Sequence, residues 1–203
     1  MTLAELQKAI GHTDLYLLDQ IVKGRFTSVQ RMLDAGCGEG RNMGWFLTQG
    51  VQVYGIDLYQ SAVQYARVWA KSILPAFEPL QIQEGDISQL PYPDHFFDAV
   101  VCNAVLHFAK NEQQFETMWQ EMVRVLRPGG ILFLRFSTLH GIDYNPQPIE
   151  KNVFRLVDGS EWFLASTTTL HTLITNYRLQ LVEPIKTVVI EQTRTMTTLV
   201  LSK

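Results

Sequence analysis

The chain has 203 residues, of which 46% are hydrophobic and 18% charged, with a net charge of −3. That is enough for one domain with a sizeable core. It argues against disorder and against the basic footprint of a duplex-binding protein, so no nucleic-acid partner is expected. Two cysteines make no disulfide framework, and neither a signal-peptide pattern nor a run of ~18 apolar residues is found, which points to a cytoplasmic protein with no membrane partner.

In chain order, Leu3, Leu6 and Ile10, then Leu15, Leu17, Leu18, Ile21 and Val22, recur at helical spacing on either side of Gly11. They predict two short helices, the second capped by Thr13 or Asp14, making a helical cap over residues 1–28. Residues 32–35 read as the first strand, 42–49 as a helix stopped by Gly50, and 51–57 as the second strand. Residues 60–72 form an amphipathic helix, 80–85 a third strand, and 96–102 a fourth, whose apolar run suits burial on both faces. A long helix over 113–126 is expected to end at Arg127-Pro128-Gly129-Gly130, with the fifth strand at 131–136. Residues 138–165 read as an irregular insert. A helix capped by Ser166 or Thr167 then runs to Asn176, and 179–190 with 195–201 read as a closing antiparallel hairpin.

The alternation predicts an α/β fold. It is a doubly wound, Rossmann-like sheet, mostly parallel, closed by the hairpin, in a single domain over residues 1–203. Right-handed crossovers put the carboxyl ends of the strands on one rim, where ligands bind. Gly36, Asp57, Asp86 and Asn103 fall at that rim. The stretch Asp34-Ala35-Gly36-Cys37-Gly38-Glu39-Gly40-Arg41 passes from strand to helix through three glycines, which let backbone come close to a ligand at the positive end of the helix. That is a nucleotide-type cradle. Asp57, 21 residues after Gly36, is placed to accept from a ribose diol. Arg41 stands where a dinucleotide fingerprint wants a small residue, which disfavours a nicotinamide enzyme. The absence of a G-x-x-x-x-G-K-[ST] run excludes an ATPase-type phosphate loop.

Four motifs stand in register: Leu33-Asp34-Ala35-Gly36-Cys37-Gly38-Glu39-Gly40; Tyr54-Gly55-Ile56-Asp57; Gly85-Asp86-Ile87 followed by Leu90-Pro91-Tyr92; and Phe97-Asp98-Ala99-Val100. Leu126-Arg127-Pro128-Gly129-Gly130 follows them. Over roughly residues 30–137 the chain resembles the class I S-adenosylmethionine (SAM)-dependent methyltransferases. The resemblance implies a seven-stranded sheet, SAM as methyl donor and a small-molecule acceptor methylated at O, N, S or a related atom. It also implies roles for particular residues. Gly36, Cys37 and Gly38 would carry backbone to the methionine portion, and Asp34 would sit near its amino group. Asp57 would hold the ribose, with Leu58 on the adenine. Asp86 would accept from the adenine amino group beside Ile87, and Cys102 and Asn103 would lie beneath the sulfonium. A non-catalytic SAM-binding subunit is the alternative, because no catalytic base is compelling.

His107, one turn after Asn103, is a candidate base or acceptor contact, against a packing histidine. Arg135, a charge within an apolar strand, suits an anionic substrate group or an internal ion pair; His140 lies just beyond it. Tyr144, Trp162 and Phe163 are candidates for an aromatic lid, with the insert near the acceptor. Cys37 and Cys102 are read as buried thiols, with no metal site. The pair Arg41-Asn42 is also seen in methyltransferases resembling tellurite-resistance enzymes. No [DNS]-P-P-[YF] run follows the fourth strand, which argues against methylation of nucleic-acid amino groups. A monomer or homodimer is expected.

Overall fold

A computed structural model gives the fold and describes residues 2, 10–142, 146–191 and 193–203. The expectations for Leu3, Leu6 and Tyr144 lie outside these. Helix α1 (Leu15–Val22) begins at Asp14, whose carboxylate accepts from the amides of Tyr16 and Leu17. That satisfies two donors a helix start would leave unpaired.

Five parallel strands form the centre: β1 (Arg31–Ala35), β2 (Gln52–Asp57), β3 (Ile82–Glu84), β4 (Phe97–Asn103) and β5 (Leu126–Phe136). Between them lie α2 (Gly44–Thr48), α3 (Gln60–Ile73) and α4 (Glu112–Val125). The insert contributes β6 (Gln147–Glu150), β7 (Val153–Arg155) and β8 (Glu161–Phe163). Helix α5 (Thr167–Asn176), β9 (Gln180–Leu181), β10 (Lys186–Ile190) and β11 (Arg194–Ser202) close the chain. The main sheet has the order β10-β11-β5-β4-β1-β2-β3, with β9 also paired to β11, and β11 runs antiparallel to both β5 and β10. The order reverses direction at β1, so the crevice between the ends of β1 and β4 is where a ligand site is expected.

The sheet is covered on both faces. One core holds Leu33, Phe97, Phe115, Trp119, Leu132 and Leu134, and the other Leu17, Met32, Phe46, Val63, Val101 and Phe133. The α4 residues Phe115, Met118, Trp119 and Met122 are buried as one helical stripe, and truncating one of its aromatics should cost ~3–5 kcal/mol.

Several boundaries differ from expectation for identifiable reasons. Helix α2 starts only at Gly44, because Gly40 to Met43 are taken up by a turn in which the Met43 amide donates to Gly40. Pro79–Gln81 forms a 3-10 turn, which shortens β3. The Arg-Pro-Gly-Gly run does not follow the helix end as a separate stop. It bulges out of β5, whose pairing with β4 jumps from Phe97↔Leu126 to Ala99↔Ile131. The first arm of the hairpin is broken into β9 and β10 around Glu183-Pro184, where proline has no amide to give β11. The insert is not irregular: β6, β7 and β8 form a three-stranded antiparallel sheet. Among the described residues, no helix is long and apolar enough to cross a membrane.

Helix α1 is fastened to the far end of the chain. Lys23 pairs with Asp19 at 2.6 Å and Glu183 at 2.8 Å, Lys186 pairs with Glu183 at 2.6 Å and Asp19 at 3.2 Å, and Gln20 donates to Glu183 at 2.9 Å.

Candidate active site

Strand β1 ends in the glycine loop. The amides of Gly36 and Cys37 both donate to the Ile56 carbonyl, at 2.8 and 3.0 Å, which draws the loop against β2. Gly36 has φ +77°, and a Cβ there would stand 2.3 Å from Val105 Cγ2. Both the backbone angle and the space therefore demand glycine. Gly38, at φ +52°, has open space where a side chain would be. Its amide donates to Asp57 Oδ2 at 2.8 Å, and the Tyr59 amide donates to Oδ1 at 3.0 Å. Asp57 thus pins the loop with one oxygen and shapes the turn into α3 with the other, each keeping a free lone pair.

Above the loop lies a cavity of about 550 Å³, a size suited to a nucleoside-type ligand. Of the residues expected at the site, Gly36, Cys37, Gly38, Asp57, Leu58, Asp86, Ile87 and Asn103 line it. Leu58 is 60% exposed, whereas Ile87 is buried. Asp86 caps a 3-10 turn, Oδ1 accepting from the Ser88 amide at 2.7 Å.

Asp34 lies behind the cavity rather than on its surface. It is buried, and neither carboxylate oxygen has a hydrogen-bond partner. Burial raises its pKa to about 7, with Arg41 working against the rise and Asp57 adding to it. Asn103 is 6% exposed, and both its carboxamide oxygen and nitrogen lack partners. Native interiors leave few buried polar groups unpaired, and groups that stay so beside a cavity point to a ligand.

His107 is not brought to the cavity. It is buried on a 3-10 turn, stacked on Trp162 with centroids 4.2 Å apart, and its Nδ1 accepts from the Ser137 amide at 3.3 Å. Burial, and then Arg194, push its pKa down to about 3. A neutral ring whose Nδ1 already accepts and whose face is stacked is placed as a packing histidine, the second of the two readings the sequence offers for His107. Cys102 does not line the cavity either, and burial pushes both thiols well above their ordinary pKa. Phe163 is fully buried against Phe115 at 4.5 Å and is core rather than lid. Trp162 packs on His107 and Phe108. Arg135 forms an ion pair with Asp14 at 3.3 Å, and Asn42 Oδ1 accepts from the Asp14 amide at 3.1 Å. His140 Nδ1 meets the Thr167 hydroxyl at 3.1 Å. Among the described residues, no cluster of His, Cys, Asp or Glu is placed to hold a metal ion.

The cavity also takes residues the motifs did not single out: Tyr59, Ala104, Val105, Phe108, Gln114 and Met118. Ala104 has φ +62°, an unusual angle for a residue with a side chain, and its amide donates to the Arg135 carbonyl at 2.7 Å. This sharp exit from β4 swings Val105 over the glycine loop. The spacing of Gln114 and Met118, four apart at the start of α4, was the signal available for them.

A family model described as "Methyltransferase domain" matches residues 33–134, half of the chain. A probable S-adenosylmethionine-dependent methyltransferase of Mycolicibacterium smegmatis is 31% identical over 115 residues, covering 57% of this chain and 40% of that protein. The tRNA 5-carboxymethoxyuridine methyltransferase of Escherichia coli is 30% identical over 145 residues, covering 70% of this chain and 52% of that protein. The chain thus spans about half the length, or less, of these curated relatives. A crystal structure of a Pyrococcus horikoshii protein superposes with a TM-score of 0.73 over 94% of both chains at 20% identity, a likeness of fold. Nothing among these findings favours a non-catalytic subunit. With its glycine cradle, its sheet order and a family model over half its length, the chain belongs to the methyltransferase-domain family, in the class I form that takes its methyl group from S-adenosylmethionine.

Proposed function

We propose that the cavity above Gly36–Gly40 holds SAM and that the methyl group passes from it to a small-molecule acceptor. The observation that carries this reading is the buried, unpartnered carboxylate of Asp34 beside the glycine cradle. The donor set fits the group. Arg41 lines the place for an amino-acid portion with Asp34 buried just behind it, and Asp57 keeps lone pairs for ribose hydroxyls. Leu58 and Ile87 offer apolar surface for a base, with Asp86 beside them as an acceptor. When bound, SAM supplies an activated methyl on a cationic sulfur.

The chain's own part is then to orient and to exclude water. Val105, Phe108 and Met118 present apolar surface at the cavity, which keeps solvent from the transfer path. Asn103, with both carboxamide atoms free, is the polar group placed to orient the acceptor. Since His107 is withdrawn, the acceptor must arrive with a free lone pair, and the rate enhancement comes from alignment. The N-terminal cap over residues 1–28 and the insert over 138–165 are read as parts of the same domain that wall the acceptor side.

The test is calorimetric titration of SAM into the wild type and Asp57→Ala, with folding followed by thermal unfolding. Asp57→Ala removes the ribose acceptor and the tie to Gly38, so binding should be lost while the fold remains. Equal affinity in the folded variant would sink the site assignment. A second acceptor class rests on the E. coli relative, which bears on a modified tRNA nucleoside and reopens the partner that composition argued against. The net charge of −3 favours the small molecule. Labelled SAM offered separately with bulk tRNA and with a small-molecule extract decides between the two.

A further inference from the structure

Three neighbouring strands carry polar side chains at one level of the sheet. Asn103 on β4 is the register partner of Arg135 on β5, and Arg135 is that of Thr198 on β11. Side chains at paired positions share a face. Here it is the face that packs α1, because Val101, Phe133 and Val200, two residues away on the same strands, join the core that contains Leu17 and Ile21. Each member of the row has a buried polar atom without a partner: Asn103 Oδ1 and Nδ2, Arg135 Nε and Thr198 Oγ1. The row begins at the cavity, which Asn103 lines, and runs beneath α1.

The unmet capacity is mostly that of donors: a guanidinium N–H, a carboxamide NH2 and a hydroxyl. Arg135 is 14% exposed, rests 4.7 Å from the Tyr16 ring and meets one carboxylate, Asp14 Oδ2, through a single contact of 3.3 Å. Asp14 uses its other oxygen to cap α1.

We propose that this row is an acceptor subsite that holds a carboxylate of the methyl acceptor, with Arg135 as the specificity-determining residue and Asp14 occupying the place until the acceptor arrives. The proposal rests on the reading of the adjoining cavity as the SAM site. Arg135 keeps one anionic partner before and after, while the displaced Asp14 Oδ2, little exposed in the unliganded protein, has to turn towards solvent. Asp14 keeps its cap through Oδ1, so α1 shifts without unwinding. A phosphate would bring a second charge that nothing else in the row matches. Asn103, between the anchored carboxylate and the cavity, then orients the end of the acceptor that takes the methyl group.

The experiment offers labelled SAM with 4-hydroxybenzoate, 4-aminobenzoate, 3-mercaptopropionate and imidazole-4-acetate, each with a nucleophilic atom apart from its carboxylate, and with the primary amide of each, while S-adenosylhomocysteine binding is measured separately by calorimetry. Product is expected from an acid and not from its amide. Arg135→Gln should raise the KM of that acid by roughly 10–100-fold, the worth of a charge-assisted contact, with S-adenosylhomocysteine affinity unchanged. Asp14→Ser keeps a helix cap but removes the competing carboxylate, so it should lower the same KM. A merely structural ion pair would instead make both variants worse, in step with their unfolding temperatures. Amides serving as well as acids, an unchanged KM in Arg135→Gln, or no product from any acid while S-adenosylhomocysteine binds would each overturn the subsite. Failure of the wild type to bind S-adenosylhomocysteine would overturn the cavity reading itself.

Discussion

Replacing Asp34 with Asn should stabilise the cofactor-free protein at alkaline pH while weakening its hold on SAM. The buried carboxyl is raised from the ordinary 3.8 to about 7, chiefly by burial. Between those values the folded chain holds a proton that the unfolded chain has lost. Its stabilising contribution is therefore full below about pH 4, falls by ~1.4 kcal/mol per pH unit, and is gone above about pH 7. The whole interval amounts to roughly 4 kcal/mol, an upper figure because water reaching the opened site would relieve part of it. An Asn side chain has the same shape and does not titrate. The gap in unfolding free energy between Asp34→Asn and the wild type should therefore widen by roughly 2–3 kcal/mol in favour of the variant from pH 5 to pH 8. Urea unfolding at the two pH values measures it, and other titrating groups cancel in the difference. SAM, being cationic, should drive a proton off Asp34 near pH 6, which calorimetry in buffers of different ionisation enthalpy reads directly. A gap that stays constant between pH 5 and pH 8, or SAM binding without proton release, would refute the reasoning.

Other outcomes follow from the same geometry. His107→Gln should leave the shape of the kcat–pH profile unchanged between pH 5 and pH 9, because the ring stays neutral there; an acid limb near pH 6.5 that vanishes in the variant would show it to be a base. Gly36→Ala should cost ~1–3 kcal/mol from backbone angle alone and more from the clash with Val105. Adding Val105→Ala should recover the second part and not the first, in a double-mutant cycle of unfolding free energies. Asp98 accepts from the amides of Gln30 and Arg31 at 2.8 and 2.7 Å and pairs with Arg127. Burial works to raise its pKa, but these partners outweigh it and hold the carboxyl below the usual range. Its contribution is present above the unfolded pKa and lost as pH falls through the lower folded value. Asp98→Asn should thus flatten the acid limb of the stability curve and cost ~1–2 kcal/mol at pH 7, measured by urea unfolding.

The parallel half of the sheet and the cradle were legible because their causes are local. Apolar runs at residues 32–35 and 96–102 have little choice but burial, and three glycines before a helix have few other uses. Eight of the residues expected at the site lie together on one cavity for that reason. What escaped depended on tertiary context. Val105 and Phe108 reach the cavity through the left-handed turn at Ala104, which no propensity announces. The insert forms a sheet because Val153 and Phe163 find burial and pair with one another, although Pro146, Pro148 and Gly159 read as loop. His107 offered a chemical reading because its distance from Asn103 in the chain is short, yet on the 3-10 turn it is Phe108 that faces the cavity while His107 is buried against Trp162. That Asp34, Arg135 and Thr198 each keep a buried polar atom without a partner is a property of the assembled interior and leaves no mark on the chain.

The tethering of α1 to Glu183 and Lys186 joins residues some 160 positions apart. During synthesis, then, α1 emerges well before the residues that fasten it. Its anchors do not exist until the break between β9 and β10 has left the ribosome, and β10 joins the sheet through β11. The five parallel strands with their cradle are complete before that point, so the glycine cradle can order while α1 is still untethered. Helix α1 is thus the last element to be fastened, and any cut or slip in the closing strands should be felt first there, as a loosened helix over an intact cradle.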